Sequence, residues 1–273
     1  MMSGIPYFEI HSFAAPGEAF TGNPAGVCLL DAFPTDDILR GIAASNALSE
    51  TAFVVPRGHD EWYLRWFTPT VEVDLCGHAT FAAGAVLLAA GQVKGDTARF
   101  QTRSGRLDVR RDGNQLAMDL PAIGFKPGRH APALEAALGL QGTPEEVLDV
   151  NRIHGAGYQM WVVGDETLVR SAEPDHGLLR KLNTNVILTA PGGMGLDFVS
   201  RFFAPASGVD EDPVTGSAHC TLAPYWGARL GKTRMKARQI GPRPGALEVK
   251  THEERVTLYG HAPRFLSGEI TLP

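Results

Sequence analysis

Hydrophobic and polar positions first alternate with a period of two. Tyr7 to Phe13 is rich in aromatic and β-branched residues and predicts a strand; Val27 to Leu30 predicts a second, after the turn-rich stretch Ala15 to Pro24. The period then changes. Thr35 stands as an N-cap before Asp36 and Asp37, and Ile38, Leu39 and Ile42 keep helical spacing, so a helix runs to about Ala47. Thr51 to Val55 and Tyr63 to Phe67 return to strand character, the latter ended by Thr68-Pro69. Glu50 therefore falls where a helix gives way to a strand, from which a side chain can point into a cleft. Ala79 to Ala90, behind Gly77-His78, is apolar on every face, and a helix without a polar side is a buried one.

Further short strands are expected at Arg99 to Thr102, Arg106 to Arg110 and Leu116 to Leu120. The second half shows a helix near Ala131 to Leu138 and strands near Gln159 to Val163, Asn185 to Thr189, Phe198 to Phe203, Val256 to Leu258 and Glu269 to Leu272. Regular βαβ alternation is not seen in this pattern, which disfavours a doubly wound parallel sheet. Gly192-Gly193-Met194-Gly195 reads as a hairpin or surface loop.

The pattern also repeats itself. Arg65-Trp66-Phe67-Thr68-Pro69 is followed by an acidic loop, Gly77-His78-Ala79-Thr80 and an apolar helix. Arg201-Phe202-Phe203-Ala204-Pro205 is followed by an acidic loop, Gly216-Ser217-Ala218-His219 and a second apolar helix. Seven residues separate Pro69 from Gly77, and ten separate Pro205 from Gly216. The shared order predicts two related domains with a helix starting at the same place in each. A helix start carries unsatisfied N–H groups and about half a positive charge, and so attracts anions. A glycine there lets a ligand approach the backbone. Two such starts across a domain interface would suit a carboxylate or a developing enolate-like charge.

Composition narrows the function. The 273 residues are 44% hydrophobic and carry a net charge of −5, with the basic residues scattered. There is no basic field for a nucleic-acid partner. The stretch from Ala79 to Ala90 is far shorter than the roughly 20 residues of a membrane span, so no membrane partner is expected. Three cysteines, Cys28, Cys76 and Cys220, lack CxxC spacing, and the nine histidines lack metal-ligand spacing. Met1 to Tyr7 has no charged segment leading into an apolar run, so a cytoplasmic protein without a signal peptide is expected. Neither a dinucleotide fingerprint, a Walker A loop nor a metal motif calls for a cofactor or metal.

Around the two helix starts stand Cys76, His78, Asp212, Ser217 and His219. Glu50 precedes the apolar run Thr51 to Val55, so burial could make it an acid or base usable near neutrality; a solvated helix-end glutamate is the alternative. Asp212, in a dense acidic loop, reads as a helix cap, which does not exclude catalysis. His78 could shuttle a proton or orient a group. Cys76 could be a thiolate, because helix N-termini depress thiol pKa, although the sequence offers no clear partner base and a small buried residue is the plainer reading.

Four motifs stand in order: Thr21-Gly22-Asn23-Pro24-Ala25, Leu48-Ser49-Glu50-Thr51-Ala52-Phe53-Val54, Cys76-Gly77-His78-Ala79-Thr80, and Glu211-Asp212-Pro213-Val214-Thr215-Gly216-Ser217-Ala218-His219. Together they closely resemble the signatures of the PhzF-like (phenazine-biosynthesis-like) family, from residue 7 to the C-terminus. The resemblance implies the diaminopimelate-epimerase-like fold, an α+β architecture of two similar domains, each a β-barrel-like sheet wrapped around a central helix. Residues 1–118 and 119–263 would form the domains, and a last strand at about 264–273 could pack with the first.

The resemblance also implies a homodimer and a cofactor-independent isomerase that moves a proton within a small carboxylate substrate. Glu50 matches the family's catalytic glutamate, and His78, Asp212 and Ser217 match its supporting residues. Asn23, Cys76, Gly77, Thr215 and Gly216 would line the substrate site. Related epimerases carry a cysteine before each helix-start glycine, whereas here Cys76 has Thr215 as its counterpart, which disfavours a two-thiol racemase. An epimerase using Cys76 with another base, or a non-catalytic binding protein on the same scaffold, are the alternative readings.

Overall fold

A computed structural model describes residues 4–58, 60–151 and 157–272. The chain divides into two units, residues 1–119 with 259–273, and residues 120–258. Among the described residues no helix is long and apolar enough to cross a membrane.

The first unit contains β1 (Ile5–Ser12), β2 (Asn23–Leu29), α1 (Asp36–Asn46), β3 (Thr51–Gly58), β4 (Glu61–Phe67), β5 (Glu72–Val73), α2 (Gly77–Ala89), β6 (Thr97–Thr102), β7 (Gly105–Asp112) and β8 (Gln115–Pro121). In its sheet β1 pairs antiparallel with β2, β2 parallel with β3, β3 antiparallel with β4, β4 parallel with β6, and β6, β7 and β8 form a meander. The two parallel pairs need crossovers, and α1 and α2 supply them. The sequence pattern concealed these local βαβ units because antiparallel neighbours separate one from the next.

Leu39, Ile42 and Ala43 form the buried side of α1 and pack against Cys28, Phe53, Val55 and Phe67. Thr35 does occupy the N-cap position, but its side chain makes no capping bond. In α2 every residue from His78 to Leu88 is buried, and the helix packs on β1, β2, β3, β6 and β7. Gly84 lets it sit that close: a Cβ there would lie 2.5 Å from Val109.

The second unit follows the same plan: β9 (Phe125–Pro127), α3 (Pro132–Leu138), β10 (Glu146–Val150), β11 (Gly157–Val162), α4 (Glu166–Arg170), α5 (His176–Lys181), β12 (Thr184–Pro191), β13 (Phe198–Ala204), a 3₁₀ turn at Pro205–Ser207, β14 (Val209–Asp212), α6 (Gly216–Leu230), β15 (Arg234–Gln239), β16 (Gly245–His252) and β17 (Arg255–Gly260). β10 pairs antiparallel with β11, β11 parallel with β12, β12 antiparallel with β13, β13 parallel with β15, and β15 antiparallel with β16. Gly192 to Gly195 closes the β12–β13 hairpin. The final strand, β18 (Arg264–Ile270), pairs antiparallel with β1, as β9 does with β10.

Pro224 lies inside α6 and lacks the N–H that would bond the Cys220 carbonyl. The Ile123 N–H donates to that carbonyl instead, at 3.0 Å, so the proline is accommodated without an orphaned acceptor.

One polar device occurs in both units. Arg65 on β4 makes a bidentate pair with Glu72 on β5, both contacts at 2.7 Å. Arg201 on β13 does the same with Glu211 on β14, at 2.7 and 2.8 Å. Each arginine also stacks over the phenylalanine two residues on, Phe67 at 5.1 Å and Phe203 at 4.8 Å. The partners sit in one register, since Phe67 pairs with Glu72 and Phe203 with Glu211. The extra residues of the second loop are thereby located at the 3₁₀ turn, before the acidic strand.

Arg201 is 7% exposed and also donates to the Val169 and Ala172 carbonyls. Arg201→Met should cost about 3–5 kcal/mol, because Glu211 is left as a buried charge without its partner. Urea unfolding followed by circular dichroism measures this, and a midpoint equal to wild type would contradict it.

Candidate active site

The residues singled out from sequence divide between the units. Asn23, Glu50, Cys76, Gly77 and His78 belong to the first; Asp212, Thr215, Gly216 and Ser217 belong to the second.

In the first unit the β4–β5 turn delivers the chain to Cys76, which takes extended backbone angles (φ −142°, ψ 108°) as the N-cap of α2. Cys76 provides no side-chain cap, so the first helical N–H groups keep their positive potential. Apart from its chain neighbours and its own helix backbone, a Cβ at Gly77 would meet no atom within 4 Å, so nothing else in the fold fills the space beside the helix start. The next residue, His78, is buried. Ser12 donates to its backbone carbonyl at 2.8 Å, and the buried Asn23 pairs with Ser12 across β1 and β2.

Glu50 lies one residue before β3, its carbonyl accepting from the Gly26 N–H at 3.2 Å. The side chain is 17% exposed, and Oε2 stands 3.3 Å from His78 Nε2. That separation is close, but the two atoms are not aligned for a hydrogen bond. At the other ring nitrogen, Cys76 Sγ lies 3.6 Å from His78 Nδ1. The imidazole thus has a carboxylate near one ring nitrogen and a thiol near the other. Burial lowers the His78 pKa from 6.5 to about 4, with the Pro24 carbonyl acting in the opposite direction. At neutral pH it is an uncharged ring that can donate or accept one proton.

In the second unit Thr215 is the N-cap of α6, with angles close to those of Cys76 (φ −112°, ψ 107°). Threonine ordinarily caps with its hydroxyl. Here the hydroxyl donates to the Asp212 carboxylate instead, leaving the helix start without a side-chain cap. Asp212 ends β14 and is not the cap that its sequence position suggested. Gln239, 1% exposed, fixes this turn: it accepts from the Thr215 N–H at 3.0 Å and donates to the Asp212 carbonyl. Ser217 is half-buried on the first turn of α6. His219 is fully buried, with Nδ1 2.8 Å from the Thr215 carbonyl, and burial lowers its pKa to about 4. Thr80, at the matching position of α2, bonds the Cys76 carbonyl at 2.6 Å. His219 is therefore part of the helix turn.

Sequence reasoning missed Tyr158, Asn185 and Gln239. Tyr158 is stacked on Phe202 (5.4 Å, 17°), and its pKa is raised first by burial, with the Asp212 charge adding and a hydrogen bond with Asn185 opposing. Asn185 is buried, and its amide donates to Ser207 at 2.7 Å. Thr51 faces Phe67 and Val186 faces Phe203 in the two ladders, so Asn185 occupies in the second unit the place that Glu50 holds in the first. Extending the repeat upstream of Arg65 and Arg201 would have drawn attention to it.

The depressed imidazole pKa values fix a pH response. The unfolded chain takes up protons below about 6.5, whereas folded His78 and His219 resist until about 4. Their stabilising contribution is complete above pH 6.5, is lost as pH falls to 4, and amounts to up to about 3 kcal/mol per histidine. The ring resonances of both should hold constant shifts between pH 8 and 5 by NMR; midpoints near 6.5 would contradict the burial argument.

A family model described as phenazine biosynthesis-like protein matches residues 11–268. The chain is 47% identical over 268 residues to an uncharacterised isomerase of Pseudomonas aeruginosa, covering 98% of this chain and 99% of that protein. Among solved structures it resembles a phenazine biosynthesis protein of the PhzF family from Enterococcus faecalis, with 40% identity, a TM-score of 0.91, and coverage of 99% and 100%. A probable proline racemase from Agrobacterium radiobacter matches in fold alone, at 13% identity and a TM-score of 0.64, covering 98% and 93%.

Proposed function

We propose that this chain, which belongs to the phenazine biosynthesis-like family, is an isomerase that moves a proton within a small unsaturated carboxylate, with Glu50 as the proton carrier. The observation that carries the reading is the placement of Glu50: mostly shielded, and 3.3 Å from a buried imidazole that burial keeps neutral. A neutral ring adds no fixed positive charge beside the carboxylate, so the carboxylate can take up a proton and return it.

Glu50 would accept a proton from a substrate carbon acidified by conjugation. The electron pair left behind shifts through the π-system, and the protonated Glu50 delivers its proton to another carbon of the same molecule. Atoms and charge balance without a redox step, consistent with a cofactor-independent reaction. The uncapped start of α2, open at Gly77, offers N–H groups to the substrate carboxylate or to charge developing on it. The start of α6 has the same chemistry, with the Ser217 hydroxyl as a further donor and Asp212 as an acceptor.

A second reading is favoured by the thiol. His78, 3.6 Å away, would take the Cys76 proton, and the thiolate would then remove a proton from a stereocentre whose opposite face is reprotonated from solvent.

Proton exchange in D₂O with a panel of cyclohexadiene and aromatic carboxylates distinguishes the readings. Glu50→Gln should fold normally and lose ~10²–10⁴-fold in turnover, while Cys76→Ala should stay within about tenfold of wild type. Full exchange by Glu50→Gln would sink the assignment. Deuterium entering a stereocentre, together with an inactive Cys76→Ala, would establish the epimerase instead.

A further inference from the structure

The side chains around His78 also form a donor set of a different kind. Cys76, His78 and Glu50 each offer one ligand atom, and these atoms lie within 4.8 Å of one another. A thiolate, an imidazole and a carboxylate are the three protein donors that divalent zinc accepts. We propose that this cluster is a binding site for a thiophilic divalent cation, Zn²⁺ being the natural candidate, and that occupancy shuts the site down. The binding claim stands apart from the proposed reaction; only its inhibitory consequence rests on Glu50 being the proton carrier.

The geometry is already partly assembled. Bonds of ~2.3 Å to sulfur and ~2.0–2.1 Å to nitrogen give a tetrahedral S···N edge of roughly 3.6 Å. Cys76 Sγ and His78 Nδ1 are 3.6 Å apart. The ion takes Nδ1 because that nitrogen faces the thiol, and the thiol proton leaves to solvent as the bond forms. Glu50 supplies the third donor. Its Oε2 stands 3.3 Å from the other ring nitrogen, Nε2, so this side chain, 17% exposed, must swing toward Nδ1 to reach the roughly 3.3 Å expected of an N···O edge, within a cluster whose donor atoms already lie within 4.8 Å of one another. Three protein donors leave a fourth position of the ion for water or a substrate carboxylate, and apart from its chain neighbours and its own helix backbone no atom crowds a Cβ placed at the adjoining Gly77. Three protein ligands with one open position is the arrangement found in catalytic zinc sites; a closed structural site uses four. The sequence hid the cluster because Glu50 lies far from Cys76 and His78 along the chain.

Titration of the purified full-length chain with Co²⁺, read by absorbance without substrate, tests the site. One equivalent should produce thiolate-to-cobalt charge transfer and the visible d–d bands of a four-coordinate ion, and equimolar Zn²⁺ should bleach both. Cys76→Ala should remove the charge transfer, and Glu50→Gln should weaken Co²⁺ binding on the order of tenfold. A chain carrying Cys28→Ser and Cys220→Ser, with Cys76 its sole thiol, should keep the full spectrum. No charge transfer in the wild type, a band surviving Cys76→Ala, or its loss from the sole-thiol chain would each overturn the site. If Cys76→Ala does not fold, the sole-thiol chain decides. None of these spectra depends on turnover, so their failure leaves the proton-transfer reading intact, and failure of that reading leaves the spectra interpretable.

Discussion

A charged side chain inside a sheet is stable only if every donor finds an acceptor, and that constraint organises both units. Arg65 and Arg201 each direct a planar guanidinium into the two oxygens of a glutamate on the neighbouring short strand. A bidentate pair tolerates little sliding, so the register between β4 and β5, and between β13 and β14, is set by charge geometry as well as by the backbone ladder. The chain then has four residues in which to reach the helix, from Glu72 to Gly77 and from Glu211 to Gly216. The two helix starts both enter from an extended residue with almost the same ψ, although their N-caps are a cysteine and a threonine.

Equal backbones carry unequal chemistry. In matching positions the first unit has Val73, Cys76 and His78, and the second has Asp212, Thr215 and Ser217. Glu50 has Asn185 as its counterpart. The first unit thus brings a carboxylate, an imidazole and a thiol together. The second concentrates groups that donate or accept hydrogen bonds. Duplication followed by specialisation accounts for this, and the helix-turn bonds of Thr80 and His219 to the N-cap carbonyls survive as a trace of the common design.

Most of what fixes the architecture was legible in the sequence. The apolar run after Gly77 could only be a buried helix, and the echo of Arg-aromatic-Phe-x-Pro located the second helix start. The parallel pairings of β2 with β3 and β11 with β12 were not legible, because a strand's partner is set by packing across the sheet and not by its own period. The short helices α4 and α5 span five and six residues, too few for a periodic signal. For the site, types and positions were readable but contacts were not. The thiol beside His78 and the diversion of the Thr215 hydroxyl to Asp212 are matters of a few ångströms, which spacing along the chain does not encode.

The pairing of β18 with β1 bears on how the chain matures. β1 is made before residues 120–258, yet β18 reaches it only after the whole of that stretch has been synthesised. Until then the outer edge of β1 exposes unpaired backbone groups, the kind of edge that recruits foreign strands. The second unit has β9 made immediately ahead of β10 and faces no comparable delay. On the ribosome the half made later can close first, and the half bearing Glu50, Cys76 and His78 is the last to become complete.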